Sequence, residues 1–361
     1  MANFNSLFDS GSVTILDGGF GTTLESIFHL DISSPLWSAK PVERNPEIIV
    51  EAHLKFLRAG ARVILTSTYQ ASFSTFERAG YNRDDAAQIM IKSVKLADQA
   101  RNQFLIERKD LTREDIRIAL SIGPFGASLF PAQEFDGYYP PPYGPRAFSE
   151  GGDNLNAFRR DSGGAESIDA LAQFHSERLS IFTNDRETWD TIDCIAFETV
   201  PLTREVLAIR RAVGMLQAAI KPWWISLVFM NGVFPETEEP GGRHLTVIEA
   251  AHAVVAGDNP PSAIGVNCTQ ADIFPALLAE MRAAIDDKKR RELWLVLYPN
   301  GGDVYDSINR TWKGSAKGGD WGKELAKIVQ DVRGDWGGVL VGGCCRTGPE
   351  EIQQLSKHLS P

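Results

Sequence analysis

Cysteine, histidine and methionine are scarce in this chain, at four, six and five among 361 residues. Four thiols in a chain of this length do not build the cross-linked framework of a small secreted domain. Long apolar runs are missing as well; none approaches the roughly 20 residues that a membrane-spanning helix needs. The first dozen residues, MANFNSLFDSGS, carry neither a basic stretch nor an apolar one, so no secretory leader is expected. The closing LSKHLSP matches no retention or peroxisomal signal, and a cytoplasmic protein is the expectation. Positive charge is short: 37 Lys and Arg stand against 47 Asp and Glu, a formal net charge of −10. Such a surface repels phosphate backbones, so no nucleic-acid or membrane partner is expected, and a small, cationic ligand fits better.

What is present is a regular alternation. Runs that are nearly continuous in apolar residues are expected to form strands at 13–17 (VTILD), 62–67 (RVILTS), 116–121 (IRIALS), 193–198 (DCIAFE), 223–228 (WWISLV), 263–267 (AIGVN), 293–298 (LWLVLY) and 338–342 (GVLVG). Continuous apolarity marks parallel strands covered on both faces. Helical periodicity fills the gaps, at 46–59, 83–104, 168–189, 203–216, 246–255, 273–284, 322–333 and 349–359. Asn45 and Pro46 open the first of these and Gly60 stops it. Eight strands alternating with eight helices point to an α/β fold, a single (β/α)8 TIM barrel spanning 1–361, with an open doubly wound sheet as the alternative. No repeat is visible within the sequence.

One segment breaks the rhythm. Residues 133–164, including GYYPPPYGP, form a long inserted loop after strand 3, rich in Pro, Gly and Tyr. In a barrel it belongs to the face where active sites are built. It is either a lid over the pocket or a solvated insertion.

The conspicuous polar residues fall at strand ends. Asp17 ends the first strand and precedes Gly18 and Gly19; Glu198 ends the fourth; Asn267 and Cys268 end the sixth; Cys344 and Cys345 follow the eighth. A parallel barrel gathers all of these on one rim. Three cysteines there suit zinc, because thiolate sulfur is a soft ligand and three of them leave one tetrahedral position for a substrate atom. Gly342 and Gly343 are expected to supply the sharp turn that two adjacent ligands require. A redox couple between neighbouring Cys344 and Cys345 is geometrically awkward. Cys194, alone on a strand, reads as a small buried hydrophobe. Asp17 and Glu198 could equally be a strand-end cap and a salt-bridge partner.

The motifs ILDGGFGTTLE (15–25), PLWSAK (35–40), TSTYQAS (66–72), SIGPFGASL (121–129), FETVP (197–201), GVNCT (265–269) and VGGCCRTGPEEI (341–352) resemble the homocysteine S-methyltransferases, in order and over nearly the whole chain. The YQAS and GTTLE patterns resemble the branch that uses S-methylmethionine or S-adenosylmethionine. The resemblance implies a TIM barrel with Zn2+ on Cys268, Cys344 and Cys345. It also implies that Asp17 and Glu198 bind the amino group of homocysteine and that the backbone at Gly18 and Gly19 receives its carboxylate. Trp37, Tyr69 and Asn267 would line the pocket. The implied activity is transfer of a methyl group from a sulfonium donor to homocysteine. The segments 133–164 and 312–322 (WKGSAKGGDWG) depart from shorter members, which bears on the donor pocket rather than the metal.

Three alternatives share these residues: betaine as donor, a selenohomocysteine or selenocysteine acceptor, and a non-catalytic zinc- or thiol-binding barrel. Cobalamin- or folate-dependent chemistry fits less well, since it usually brings extra domains.

Overall fold

The computed structural model describes residues 3–34, 36–159, 162–301, 304–306, 311–313 and 320–359. Eight parallel strands form one sheet: β1 (Val13–Ile15), β2 (Val63–Leu65), β3 (Arg117–Ile122), β4 (Cys194–Val200), β5 (Trp223–Leu227), β6 (Ala263–Asn267), β7 (Trp294–Tyr298) and β8 (Gly338–Val341). Each strand pairs with its neighbours in sequence, and β8 returns to β1 with Val13 opposite Val339. The remaining seam, β1 to β2, closes through a parallel bridge between Leu16 and Val63. It is completed by Arg62 N–H donating to Ile15 O at 2.8 Å and Asp17 N–H to Val63 O at 3.0 Å. The alternation therefore resolves as a barrel, not as an open sheet.

Besides shorter helices, one long helix follows each strand: α1 (Pro46–Arg58), α2 (Arg83–Glu107), α3 (Gly164–Thr183), α4 (Thr203–Gly214), α5 (Val247–Val255), α6 (Phe274–Ala284), α7 (Trp321–Val332) and α8 (Pro349–Leu359). α1 shows the local logic. Pro46 sits at its first position, where a missing N–H costs nothing, and Ile49, Val50, Leu54, Phe56 and Leu57 line its buried face. The expected helix over 168–189 is two helices, because Asp185 accepts a hydrogen bond from Thr188 N–H at 2.8 Å and starts a new turn at Arg186–Thr191. Among the described residues no helix is long and apolar enough to cross a membrane.

The barrel interior is a packed core. Leu16, Val63, Ala119, Cys194, Ala196, Trp224, Trp294, Val296 and Leu340 fill it, and Phe4 from the N-terminal segment plugs its base against Trp224 and Trp294. Cys194 is fully buried there, in agreement with its reading as a hydrophobe. Burying a large side chain of this kind contributes about 2–3 kcal/mol. A filled base leaves the opposite rim for chemistry.

The segment after β3 is packed rather than solvated. Tyr139 is fully buried, its ring 5.1 Å from Phe125, and Tyr143 stacks on the same Phe125 ring at 3.9 Å. Glu205, at the start of α4, is the anchor. It accepts hydrogen bonds from Phe125 N–H (2.6 Å) and the Tyr139 hydroxyl (2.7 Å), and pairs with His175 Nε2 (3.0 Å). Asn156 ties the far end, its Nδ2 donating to Asp136 O and Pro235 O, each at 2.8 Å. Within 312–322, residues 314–319 lie outside the described residues; 312–313 belong to a short hairpin of Val304–Asp306 with Thr311–Lys313, and 321–322 open α7.

Candidate active site at the barrel mouth

The residues singled out from the sequence converge at the C-terminal ends of the strands. Cys268 follows β6, and Cys344 and Cys345 follow β8; their three sulfur atoms all lie within 4.8 Å of one another. Cys268 and Cys344 are joined as a disulfide across a Cα separation of 5.5 Å, and Cys345 is a free thiol. The pairing thus spans two strands instead of linking the adjacent cysteines. Once reduced, the same three sulfurs form a set of soft donors that could hold a metal ion.

The backbone device behind this cluster differs from the expected one. Left-handed φ falls on Cys268 (49°) and Arg346 (64°), not on Gly342 or Gly343. Gly342 is required for another reason: a Cβ there would stand 2.4 Å from Asp17 O. Gly19 likewise allows a close approach, since its Cβ would meet Cys344 O at 2.4 Å. The loops after β1 and β8 are therefore pressed together, and Gly19 N–H donates to Thr347 O at 2.8 Å. Of the two amides proposed for a substrate carboxylate, only that of Gly18 has no backbone acceptor among the described residues.

Glu198 does not end β4. The strand runs on to Val200, and its register against β5 shifts between Phe197 and Val200. This irregularity, with Thr199 at φ 59°, frees Glu198 and Thr199 from the ladder at the barrel mouth. Glu198 accepts a hydrogen bond from Ser121 and bonds to Tyr298. Burial raises its carboxyl to about 7. Burial also raises Asp17 well above the usual carboxylate range, despite Leu65 N–H donating to it at 2.8 Å, and the Glu198 charge adds to the rise. Neither has a cationic partner among the described residues, so the reading of Glu198 as a salt-bridge partner finds none, whereas Asp17 does receive the Leu65 N–H as a strand-end cap would.

Asn267 is buried and works as a brace. It grips Thr199, and its Nδ2 lies 3.9 Å from Cys344 Sγ. Trp37 and Tyr69 are partly buried, with ring centroids 6.4 Å apart in an edge-on contact. Tyr69 bonds to the side chain of Thr199, and buried Arg178 holds its carbonyl through Nη2 at 2.9 Å.

Sequence reasoning missed Ser121, Thr199, Tyr298, Thr347 and Glu134. The first four carry no signal of their own: Ser121, Thr199 and Tyr298 sit near strand ends in apolar context, and Thr347 lies in the loop after β8. Glu134, an acidic residue among aromatics in the segment after β3, had one.

Comparisons with known proteins point to one family. The family model described as homocysteine S-methyltransferase matches residues 14–359. The chain is 29% identical to homocysteine S-methyltransferase 2 of Arabidopsis thaliana, covering 99% of this chain and 97% of that protein. It is 30% identical to the selenocysteine Se-methyltransferase of Brassica oleracea, covering 98% and 90%. Among solved structures it resembles the homocysteine methyltransferase MmuM of Escherichia coli. The metallated form of that protein superposes with a TM-score of 0.69 at 26% identity, covering 98% of this chain and 99% of that one. Its oxidized form gives 0.70 at 26%, covering 98% of each. The chain belongs to the homocysteine S-methyltransferase family and is a methyltransferase.

Proposed function

We propose that the protein transfers a methyl group from a sulfonium donor, S-methylmethionine or S-adenosylmethionine, to the thiol of L-homocysteine, giving methionine, with zinc held by Cys268, Cys344 and Cys345. The observation that carries this reading is the cluster of three sulfurs beside buried carboxylates that have no cationic partner among the described residues. Bound zinc supplies Lewis acidity that keeps a thiol ionised near neutral pH, where a free thiol is mostly protonated.

The chain's own residues do the rest. Asp17 and Glu198 hold the ammonium of homocysteine and thereby regain the charge partner that burial denies them. The Gly18 amide receives the carboxylate. Asn267 positions Cys344 through its contact with Sγ, and Trp37 and Tyr69 wall the pocket against water. The thiol proton leaves to solvent. A new S–CH3 bond then forms as the donor's C–S bond breaks, and the electron pair stays on the donor sulfur, which departs as a neutral thioether. The donor is activated by its own charge, so no general acid is needed.

A selenol acceptor is the second reading, favoured by the likeness to the Brassica selenocysteine enzyme. It is the same displacement with a softer nucleophile.

The test is to incubate reduced, zinc-replete protein with homocysteine and S-methylmethionine, S-adenosylmethionine or betaine separately, and to quantify methionine. Methionine from a sulfonium donor that vanishes on chelation is expected, as is joint loss of zinc and turnover in Cys268→Ala. Methionine from betaine alone would overturn the donor. No methionine from any donor, with zinc bound, would favour the non-catalytic reading unless selenocysteine is methylated.

A further inference from the structure

Glu134 is a buried carboxylate that the reaction as derived leaves unused. It lies on the segment after β3, is 9% exposed, and its Oε2 has no hydrogen-bond partner. No Lys, Arg or His pairs with it among the described residues. Its position is not a loop accident. Gln133 N–H donates to Gly126 O at 2.9 Å, and Gly126 packs so closely that a Cβ there would meet Gln133 C at 2.5 Å and Glu134 N at 2.8 Å. The network on Glu205 holds the same turn to α3 and α4 through Phe125 and Tyr139.

Its surroundings say what it faces. The short stretch 123–126 packs on both Tyr69 and the Glu134 turn: Gly123 N–H donates to Tyr69 O at 3.0 Å, a Cβ on Gly123 would meet the Tyr69 ring at 2.9 Å, and the Glu134 charge bears on Tyr69 and Cys345. Glu134 therefore lies on the Tyr69 side of the barrel mouth, on the segment after β3, while Asp17 and Glu198 stand at the strand ends of β1 and β4. Burial raises the Glu134 carboxyl to about 7, and Asp136, exposed on the same turn, adds like charge rather than relief. Burying a carboxylate without a partner costs free energy that a cation entering the site would recover.

Asp17 and Glu198 are already assigned to the ammonium of the acceptor. We propose that Glu134, with the ring of Tyr69, forms the subsite for the positive charge of the methyl donor, and so selects a sulfonium over its neutral thioether counterpart. The assignment rests on the sulfonium reading given above. A carboxylate attracts the cation through space, and an aromatic face adds cation–π attraction. The same carboxylate favours release, because the product thioether is neutral.

The kinetic signature follows from where charge is lost. The donor's positive charge fades as its C–S bond breaks, so an adjacent anion stabilises bound donor more than the transition state. Its removal acts on donor KM and leaves kcat unchanged or raised.

The experiment compares wild type with Glu134→Gln and Glu134→Asp as reduced, zinc-loaded full-length protein. Donor and homocysteine KM, kcat and zinc content are measured, together with calorimetric binding of S-methylmethionine and of methionine. Glu134→Gln is expected to raise the S-methylmethionine KM tenfold or more. Zinc content, homocysteine KM and methionine affinity should stay within twofold, and Glu134→Asp should recover part of the loss. An unchanged donor KM in an active Glu134→Gln protein would overturn the subsite and leave the methyl-transfer reading standing. Equal loss of methionine and S-methylmethionine affinity, or loss of zinc, would also overturn it. Wild-type protein that uses no sulfonium donor would overturn the reaction, and the subsite with it.

Discussion

Asn267 holds Thr199 at two points: its Oδ1 accepts the Thr199 backbone N–H at 2.8 Å, and its Nδ2 donates to Thr199 Oγ1 at 2.7 Å. Thr199 carries a left-handed backbone that a β-branched residue rarely adopts. Because the same Nδ2 lies near Cys344 Sγ, one carboxamide links the irregularity in β4 to the sulfur cluster. Asn267→Ala should lose about 2–3 kcal/mol in urea unfolding, since a buried N–H and hydroxyl are left unpaired. Zinc content measured on the same samples should fall together with turnover. Full metal occupancy in a folded Asn267→Ala protein would show that the brace is not needed for the cluster.

The buried carboxylates make stability depend on pH in a definite direction. Glu198 sits near 7 in the folded, metal-free protein against an ordinary value of 4.5. The folded state thus keeps a proton that the unfolded chain releases, and stability falls as pH rises from about 4.5 to about 7, then levels. Its share is of order 3 kcal/mol. Buried His53, lowered to about 3 by burial, acts oppositely below about 6.5, so a difference between proteins is the clean readout. Relative to wild type, metal-free Glu198→Gln should be more favoured at pH 8 than at pH 5 in thermal melts. A difference that does not vary with pH would refute the raised carboxyl.

Gly342→Ala should be poorly tolerated because its methyl group would press on the backbone oxygen of Asp17, which cannot move without opening the β1–β8 seam. A loss of about 2 kcal/mol or more is expected, with weakened metal binding. Gly164→Ala, where a Cβ meets open space at the start of α3, should change stability by no more than about 0.5 kcal/mol. Denaturant midpoints of the two variants provide the comparison.

Glu205 predicts the behaviour of the segment after β3. Glu205→Ala strands the Phe125 amide and the Tyr139 hydroxyl in an apolar setting and should cost about 3 kcal/mol or more. Limited proteolysis should then cut within 133–159 faster than in wild type, while zinc content is retained. Unchanged cleavage would mean that aromatic packing on Phe125 alone holds the segment.

The barrel was legible because burial on both faces writes continuous apolar runs such as LWLVLY and WWISL into each strand. Periodicity of that kind survives in any parallel sheet with helices on both sides. Cys268, Cys344 and Cys345 were legible as a group for a simpler reason: strand ends of a parallel barrel share one rim. The break after Thr183 and the extension of β4 to Val200 were not, because each is decided by one local hydrogen bond or one register shift that leaves no periodic trace.

By itself, the order of residues determined the strand–helix alternation, the placement of three cysteines and two carboxylates at strand ends, and membership in a family through motifs kept in sequence. Only the tertiary structure decided which groups share a pocket and which are satisfied. It placed Gly19 N–H on Thr347 and Asn267 on Thr199, and it left Glu134 buried on the Tyr69 side of the mouth with one carboxyl oxygen unpaired. The physical reason is that a side chain's chemistry depends on desolvation and on neighbours brought from distant segments. Those become defined only when the barrel closes.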